Sequence, residues 1–247
     1  MFHFFKKHSQ PLFEGLCDLH NHLIPGIDDG SKELAMSLKM LEAYQKLGFS
    51  SVIPTPHVYQ ELYPNTPETI QKAYEVLSTA TLPANSPAVR SFAAEYMVDE
   101  TFIKNLENGM PSLLLGKKYL LLEIHFFGGT QLLEQAGFKL FQKGITPILA
   151  HPERYQGIQT LAQFKTLKQK GFYLQLNALS LLGHYGPEVQ QKAQLLLKAG
   201  LYDFVATDAH HPRHLEQLSS LRLSKKQGLQ WEAIRDFQLD WFNGLWA

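Results

Sequence analysis

The chain has 247 residues, 45% of them hydrophobic, which suits one large folded domain and excludes an intrinsically disordered chain. Lys+Arg and Asp+Glu each total 23, so no overall basic excess points to nucleic acid or to an acidic membrane surface. One cysteine, Cys17, excludes an intrachain disulfide and fits a reducing, cytoplasmic compartment.

Met1 to His8 are apolar, then basic, in the wrong order for a signal sequence, and no segment approaches the ~20 apolar residues of a membrane helix. Residues 1–15 read as an N-terminal extension and 16–247 as the folded domain. Leu16-Cys17-Asp18-Leu19 reads as a strand, with Cys17 as a buried, inert thiol. The strand delivers His20 and His22, which point the same way on an extended chain and can reach one ion. Pro25, Gly26 and Gly30 then turn the chain, and Asp28 and Asp29 add hard oxygen donors. Either of these two carboxylates could complete a ligand set.

Ser31 is expected to cap a helix running to Leu47 and stopped by Gly48. Ser51 to Pro54 form a short strand before Thr55-Pro56-His57, and Thr66-Pro67-Glu68 starts a helix reaching about Ser78. A strand from Ala88 to Tyr96 carries Glu95, followed by a helix over Asp99 to Glu107 and a turn at Asn108-Gly109-Met110-Pro111. Tyr119 to Glu123 is a nearly all-apolar strand ending on a carboxylate, and a helix spans Gln131 to Lys143. Thr146 to Ala150 forms a strand that delivers His151-Pro152-Glu153-Arg154-Tyr155, before a helix over Leu161 to Lys170. Phe172 to Leu176 is a strand ending at Asn177, and Glu188 to Lys198 is helical. Phe204 to Thr207 then runs into Asp208-Ala209-His210. The tail from Leu215 to Ala247 reads as helical, with Trp231, Phe237, Trp241, Phe242 and Trp246.

Gly48, Gly144, Gly171 and Gly200 each follow a basic or amide-bearing last helical turn and precede a strand. Strands alternating with helices imply crossover connections and a parallel sheet, and apolar strands imply that both faces are covered. Seven such units favour a closed, barrel-like sheet. The seven strands end at His20/His22, His57, Glu95, Glu123, His151, Asn177 and Asp208/His210. Any one of these is explicable as a turn or rim residue. Together, on the one face where parallel barrels carry their chemistry, they point to a polynuclear metal site. His3, His8, His125, His184, His211 and His214 lack this placement or show it weakly.

A catalytic zinc takes about three protein ligands. The nine candidates here therefore imply two or three divalent ions, with manganese or iron favoured and zinc, cobalt or magnesium open. Close metal pairs suit phosphoryl chemistry, and Arg154 and Arg213 lie on the same rim with guanidinium forks matched to phosphate.

Asp-Leu-His-Asn-His with Asp-Asp-Gly, Thr-Pro-His, Ala-Glu-Tyr, Leu-Leu-Glu, Ala-His-Pro-Glu-Arg-Tyr and Thr-Asp-Ala-His resemble the PHP (polymerase and histidinol phosphatase) superfamily. The His-Leu-Ile-Pro-Gly-Ile-Asp-Asp-Gly loop and His-Pro-Glu-Arg-Tyr resemble its bacterial tyrosine-protein phosphatases of capsule and exopolysaccharide operons. The resemblance covers about Cys17 to Arg213 and implies a distorted (β/α)7 TIM-like barrel holding three metal ions. It implies metal ligands at His20, His22, Asp29, His57, Glu95, Glu123, His151, Asp208 and His210, with Arg154 and Arg213 on the substrate phosphate.

The expected reaction is hydrolysis of phosphotyrosine, with the metals and arginines neutralising phosphoryl charge and a metal or His210 assisting the departing tyrosinate. The resemblance implies a tyrosine autokinase of polysaccharide export as substrate, and a homo-oligomer is compatible with it. Competing readings are a small-molecule phosphatase, such as one for histidinol phosphate, and a non-catalytic metal-binding regulator docking a kinase through the aromatic tail.

Overall fold

The computed structural model describes residues 11–109 and 113–245. The expectations for Met1 to His8, for the Met110-Pro111 part of the turn and for Trp246 fall outside the described residues. All strand pairings are parallel, in a three-stranded sheet and a six-stranded sheet with helices packed around them. This is the α/β alternation that the crossover pattern requires.

The three-stranded sheet contains β1 (Cys17–Asp18), β2 (Ser51–Val52) and β4 (Ala88–Val89), in the order β1-β2-β4. The six-stranded sheet runs β3 (His57–Val58), β5 (Glu95–Met97), β6 (Tyr119–Glu123), β7 (Thr146–Ala150), β8 (Tyr173–Asn177) and β9 (Phe204–Ala206). The expected strand from Ala88 to Tyr96 is thus divided in two, and His57, expected to follow the strand from Ser51 to Pro54, opens a strand of its own. Pro54 and Pro56 offer no N–H to a ladder, which separates β2 from β3. The stretch from Arg90 to Ala94 separates β4 from β5. Backbone hydrogen bonds still cross the junctions: Ala93 N donates to Pro54 O at 2.9 Å, and Glu95 N donates to Pro56 O at 3.0 Å. On the other side Asn21 pairs in parallel with Ala209, and Asp208 N donates to His20 O at 2.8 Å.

The connecting helices are α1 (Leu34–Leu47), α2 (Pro67–Ser78), α3 (Glu100–Glu107), α4 (Thr130–Gln142), α5 (Leu161–Gln169) and α6 (Pro187–Lys198). The first starts two residues later than a cap at Ser31 would set it. Ser31 Oγ bonds Ser37 Oγ and Glu33 O instead, and Glu33 occupies the cap position with no side-chain bond. Thr66 caps α2 as expected, in a reciprocal box with Thr69. Gly48, Gly144, Gly171 and Gly200 all adopt positive φ after their helices.

The tail divides into α7 (Pro212–Leu218) and α8 (Lys225–Gly244), where a single helical stretch was expected. Ser224 opens α8 with its own capping box to Gln227, a restart that the aromatic pattern does not announce. Helix α8 lies against β1 and β9. The Gln238 amide accepts from Val205 N and donates to Cys17 O, both at 2.9 Å. Trp241 joins Cys17, Leu19, Ile53, Leu121, Ile148, Phe204 and Ala206 in a small inner cluster. The larger core lies between the sheets and helices α1 to α8, the last through Trp231 and Ile234. Phe13 packs on Phe49 and Trp231, so residues just before β1 are part of the packed structure.

Candidate metal centre

Strand alternation explains how an apolar sheet delivers polar groups. Tyr119, Leu121 and Glu123 share one face of β6, so the face that fills the inner cluster with Leu121 ends on a carboxylate. Tyr173, Gln175 and Asn177 do the same on β8, and both amides are fully buried. The loop after β1 folds back tightly: Ser31 N donates to His22 O at 3.0 Å. A Cβ at Gly30 would lie 2.3 Å from His22 Cβ, so only glycine lets the loop close over that imidazole.

All nine expected ligands meet at the C-terminal ends of the strands. Donor atoms lie within 4.8 Å of one another in four overlapping groups: His22/Asp29/His57/His210, His20/His22/Asp208, His20/Glu95/His151 and His57/Glu95/Glu123. His20, His22, His57 and Glu95 each belong to two of them. Glu95 Oε2 lies 3.2 Å from His20 Nε2, 3.6 Å from His22 Nε2 and 3.1 Å from His57 Nδ1. Asp208 Oδ1 lies 3.4 Å from His20 Nε2 and 3.3 Å from His22 Nε2. His151 and Asp208 carry positive φ, +31° and +49°, a backbone cost of ~1 kcal/mol or more each.

The partners of the imidazoles fix which nitrogen faces the cluster. His22 Nδ1 bonds Asp28 Oδ2 at 2.8 Å, a carboxylate that also accepts from His57 N and Gly30 N. His20 Nδ1 meets Gln175 Oε1 at 2.9 Å, while the Gln175 amide nitrogen donates to Leu176 O and so sets the amide orientation. His210 Nδ1 donates to Asp208 O at 2.9 Å. In each case Nδ1–H is committed and the Nε2 lone pair is turned inward. This is the outer support that metal-binding histidines commonly have.

The electrostatics agree. Burial opposes charge on His20, His22 and His57, yet the facing carboxylates outweigh it and raise all three, His22 to about 10. Burial likewise opposes ionisation of Glu95 and Asp208, and the imidazoles more than compensate, holding both well below the usual carboxylate range. Even so, His20 Nε2, His22 Nε2, His57 Nδ1, Glu95 Oε2 and His151 Nδ1 are buried without a hydrogen-bond partner among the described residues. Native interiors rarely tolerate so many orphaned polar atoms in one place. Their convergence fits a set of divalent cations.

Arg154 follows His151 on a single turn of 3-10 helix, Pro152–Arg154, and its Nη1 donates to Asp208 Oδ2 at 2.8 Å. Arg213 lies at the start of α7, exposed, with no hydrogen bond or ion pair from its guanidinium to the cluster among the described residues. Glu153 points the other way. It is fully buried and accepts from Asn177 N, Ser180 Oγ and Tyr202 Oη, which ties the Arg154 turn to the loop after β8. Asp18 is similarly interior, accepting from Thr207 N, Thr207 Oγ1 and Tyr44 Oη, and it clips β1 to the end of β9.

Gln175, Tyr63 and Tyr185 were not singled out from the sequence. Gln175 had a signal: an amide inside the apolar run Tyr173-Leu174-Gln175-Leu176 needs a buried partner. Tyr63, stacked on His57 with centroids 5.2 Å apart, and Tyr185, stacked under Arg154, lie on loops whose course the sequence does not show.

Fold and cluster together define the class: a parallel α/β protein whose strand ends build a multi-imidazole, multi-carboxylate centre suited to divalent ions. Residues 16–223 match the family model described as "Capsular polysaccharide synthesis, CpsB/CapC", and the chain belongs to that family. Tyrosine-protein phosphatase YwqE of Bacillus subtilis (strain 168) is 30% identical over 197 residues, covering 79% of this chain and 78% of the relative. Putative tyrosine-protein phosphatase CapC of Staphylococcus aureus is 27% identical, covering 85% and 84%. The structure also resembles a chain from the crystal structures of YwqE from Bacillus subtilis and CpsB from Streptococcus pneumoniae, described as unique metal-dependent tyrosine phosphatases. The TM-score is 0.74 at 26% identity, covering 91% of this chain and 94% of that one.

Proposed function

We propose that this chain is a metal-dependent protein-tyrosine phosphatase. The observation that carries the proposal is the four-group cluster of inward-facing, otherwise unpartnered imidazole and carboxylate atoms. Support comes from relatives named as tyrosine-protein phosphatases and a structural neighbour described as metal-dependent. His20, His22, Asp29, His57, Glu95, Glu123, His151, Asp208 and His210 would hold two or three divalent ions, manganese or iron by donor type. Bound ions of this kind polarise phosphoryl oxygens and lower the pKa of water.

The chain's own residues supply the rest. Arg154 lies beside Asp208 with its side chain 30% exposed, so its other N–H groups can take phosphate oxygens in a fork. Arg213, three residues past His210 on the same rim, would add a second guanidinium. His210 has one nitrogen on the Asp208 carbonyl, so the Nε2 that would ligate is also the atom an acid role would require. Tyrosinate, whose conjugate acid has a pKa of about 10, leaves with little need of a strong acid.

The hydrogen bonds joining His20 and His22 to Asp208 and Ala209, and Pro54 and Pro56 to Ala93 and Glu95, support reading the two sheets as one distorted (β/α)7 barrel. The protein substrate would be a tyrosine autokinase of polysaccharide export, in keeping with the capsule-synthesis family. A reducing, cytoplasmic setting accords with the lone buried thiol. No helix among the described residues is long and apolar enough to cross a membrane. The test is turnover of a phosphotyrosine peptide against histidinol phosphate by metal-loaded protein. Faster cleavage of histidinol phosphate would contradict the proposal.

A further inference from the structure

The loop after β8 carries a group that neither the ligand set nor the phosphate arginines account for. Arg154 Cζ lies over the Tyr185 ring, 4.5 Å from its centroid. The Tyr185 hydroxyl accepts from Asn177 Nδ2 at 2.9 Å. The same Asn177 Nδ2 donates to Asp208 Oδ2, also at 2.9 Å, and Arg154 Nη1 donates to that oxygen at 2.8 Å. Four side chains from three successive strand ends, those of β7, β8 and β9, thereby close a circuit: Arg154, Tyr185, Asn177 and Asp208. Asn177 is itself fixed, with its backbone N on Glu153 and its Oδ1 accepting from Leu179 N.

Two consequences follow from this geometry. Asp208 Oδ2 is occupied by Asn177 and Arg154, which leaves Oδ1 turned toward His20 and His22. The guanidinium is held in two ways, edge-on by Asp208 and face-on by the phenol ring. A guanidinium offers five N–H donors, and Asp208 takes one. An anion fork needs the plane fixed as well as the charge present, and a ring beneath the plane supplies that constraint.

We propose that Tyr185 is a positioning residue: its ring is the platform that orients the Arg154 guanidinium for the substrate phosphate. The proposal rests on the reading of Arg154 as a phosphate-binding residue of a phosphatase. It assigns the ring, and not the hydroxyl, as the part of Tyr185 that matters most for the anion.

The test measures binding of inorganic phosphate to metal-loaded protein by calorimetry, alongside KM and kcat for a phosphotyrosine peptide. Tyr185→Leu removes the platform and should weaken phosphate about tenfold, raising KM with metal content retained. Tyr185→Phe keeps the ring and should bind phosphate within about twofold of the native chain. In an Arg154→Ala background Tyr185→Leu should have no further effect, because the two act as a unit. Unchanged phosphate affinity in Tyr185→Leu overturns the proposal, as does equal damage from Phe and Leu or additive losses in the double variant. If native protein binds phosphate, loses it as described, and turns over no phosphotyrosine, the platform stands and only the assigned substrate falls.

Discussion

Asp28 gives the sharpest lever on the centre, because it supports a histidine without belonging to any of the four donor groups. Its Oδ2 lies 2.8 Å from His22 Nδ1 and 3.2 Å from His57 N, and its Oδ1 accepts from Gly30 N at 2.9 Å. Removing a carboxylate behind a metal-binding imidazole typically costs about 10- to 100-fold in metal affinity, or about 1.4 to 2.7 kcal/mol. Asp28→Ala should weaken the tightest metal by that amount. It should also lower stability by about 1–3 kcal/mol, since it strands two backbone N–H groups in a buried loop. Asp28→Asn keeps an acceptor and loses the charge, so its loss should fall between native and Ala. The assay is competition with a fluorescent chelator, with thermal melts of the metal-free variants. Native-like affinity in Asp28→Ala would refute the reasoning. Loss of a whole metal equivalent even at saturating metal would make Asp28 a ligand in its own right.

The metal-free centre should release protons as it loads. Burial opposes charge on His20, His22 and His57, but facing carboxylates raise them, so at neutral pH metal binding displaces protons that an indicator-dye titration detects. His22, near 10 when folded against about 6.5 unfolded, stabilises the metal-free chain fully below pH ~6.5. That contribution is lost as pH rises toward 10, and urea midpoints that do not fall over this window would contradict it. Burial pushes the Cys17 thiol up to about 12, so iodoacetamide should label the native chain negligibly and the unfolded chain fully. A Cβ at Gly157 would lie 2.1 Å from Gly128 O. Gly157→Ala should therefore cost about 1–3 kcal/mol in stability and impair turnover by shifting the loop just after Arg154; a native melting temperature and native turnover would rule this out.

Eight of the candidate ligands were legible because a parallel sheet turns strand ends into neighbours, so His57, Glu123 and Asp208 could be assigned to one face without knowing any contact; the choice of Asp29 over Asp28 came from the family resemblance. The prolines at 54 and 56 marked a strand end in the sequence, but that they divide the ladder depends on which backbone groups the neighbouring strand offers. The α7–α8 break is marked by Ser219-Ser220 and by the Ser224-x-x-Gln227 capping signature, which the aromatic spacing of the tail obscures. The supports were less visible still. Gln175, Asp28 and Tyr185 act through partners between 6 and 155 positions away, and local pattern carries no record of such pairings. Arg213 shows a different limit: it lies three residues past His210 in a segment without a fixed motif, and its exposed side chain leaves its aim to the substrate.

Hydrolysis of phosphotyrosine by a strand-end metal centre ties turnover to bound metal. Elemental analysis of purified protein, paired with phosphotyrosine-peptide turnover before and after chelation, tests it most directly. Two to three divalent ions per chain should be found, with activity lost to the chelator and restored by manganese or iron. Turnover that persists in metal-stripped protein, or metal-loaded protein inert toward phosphotyrosine, would contradict it.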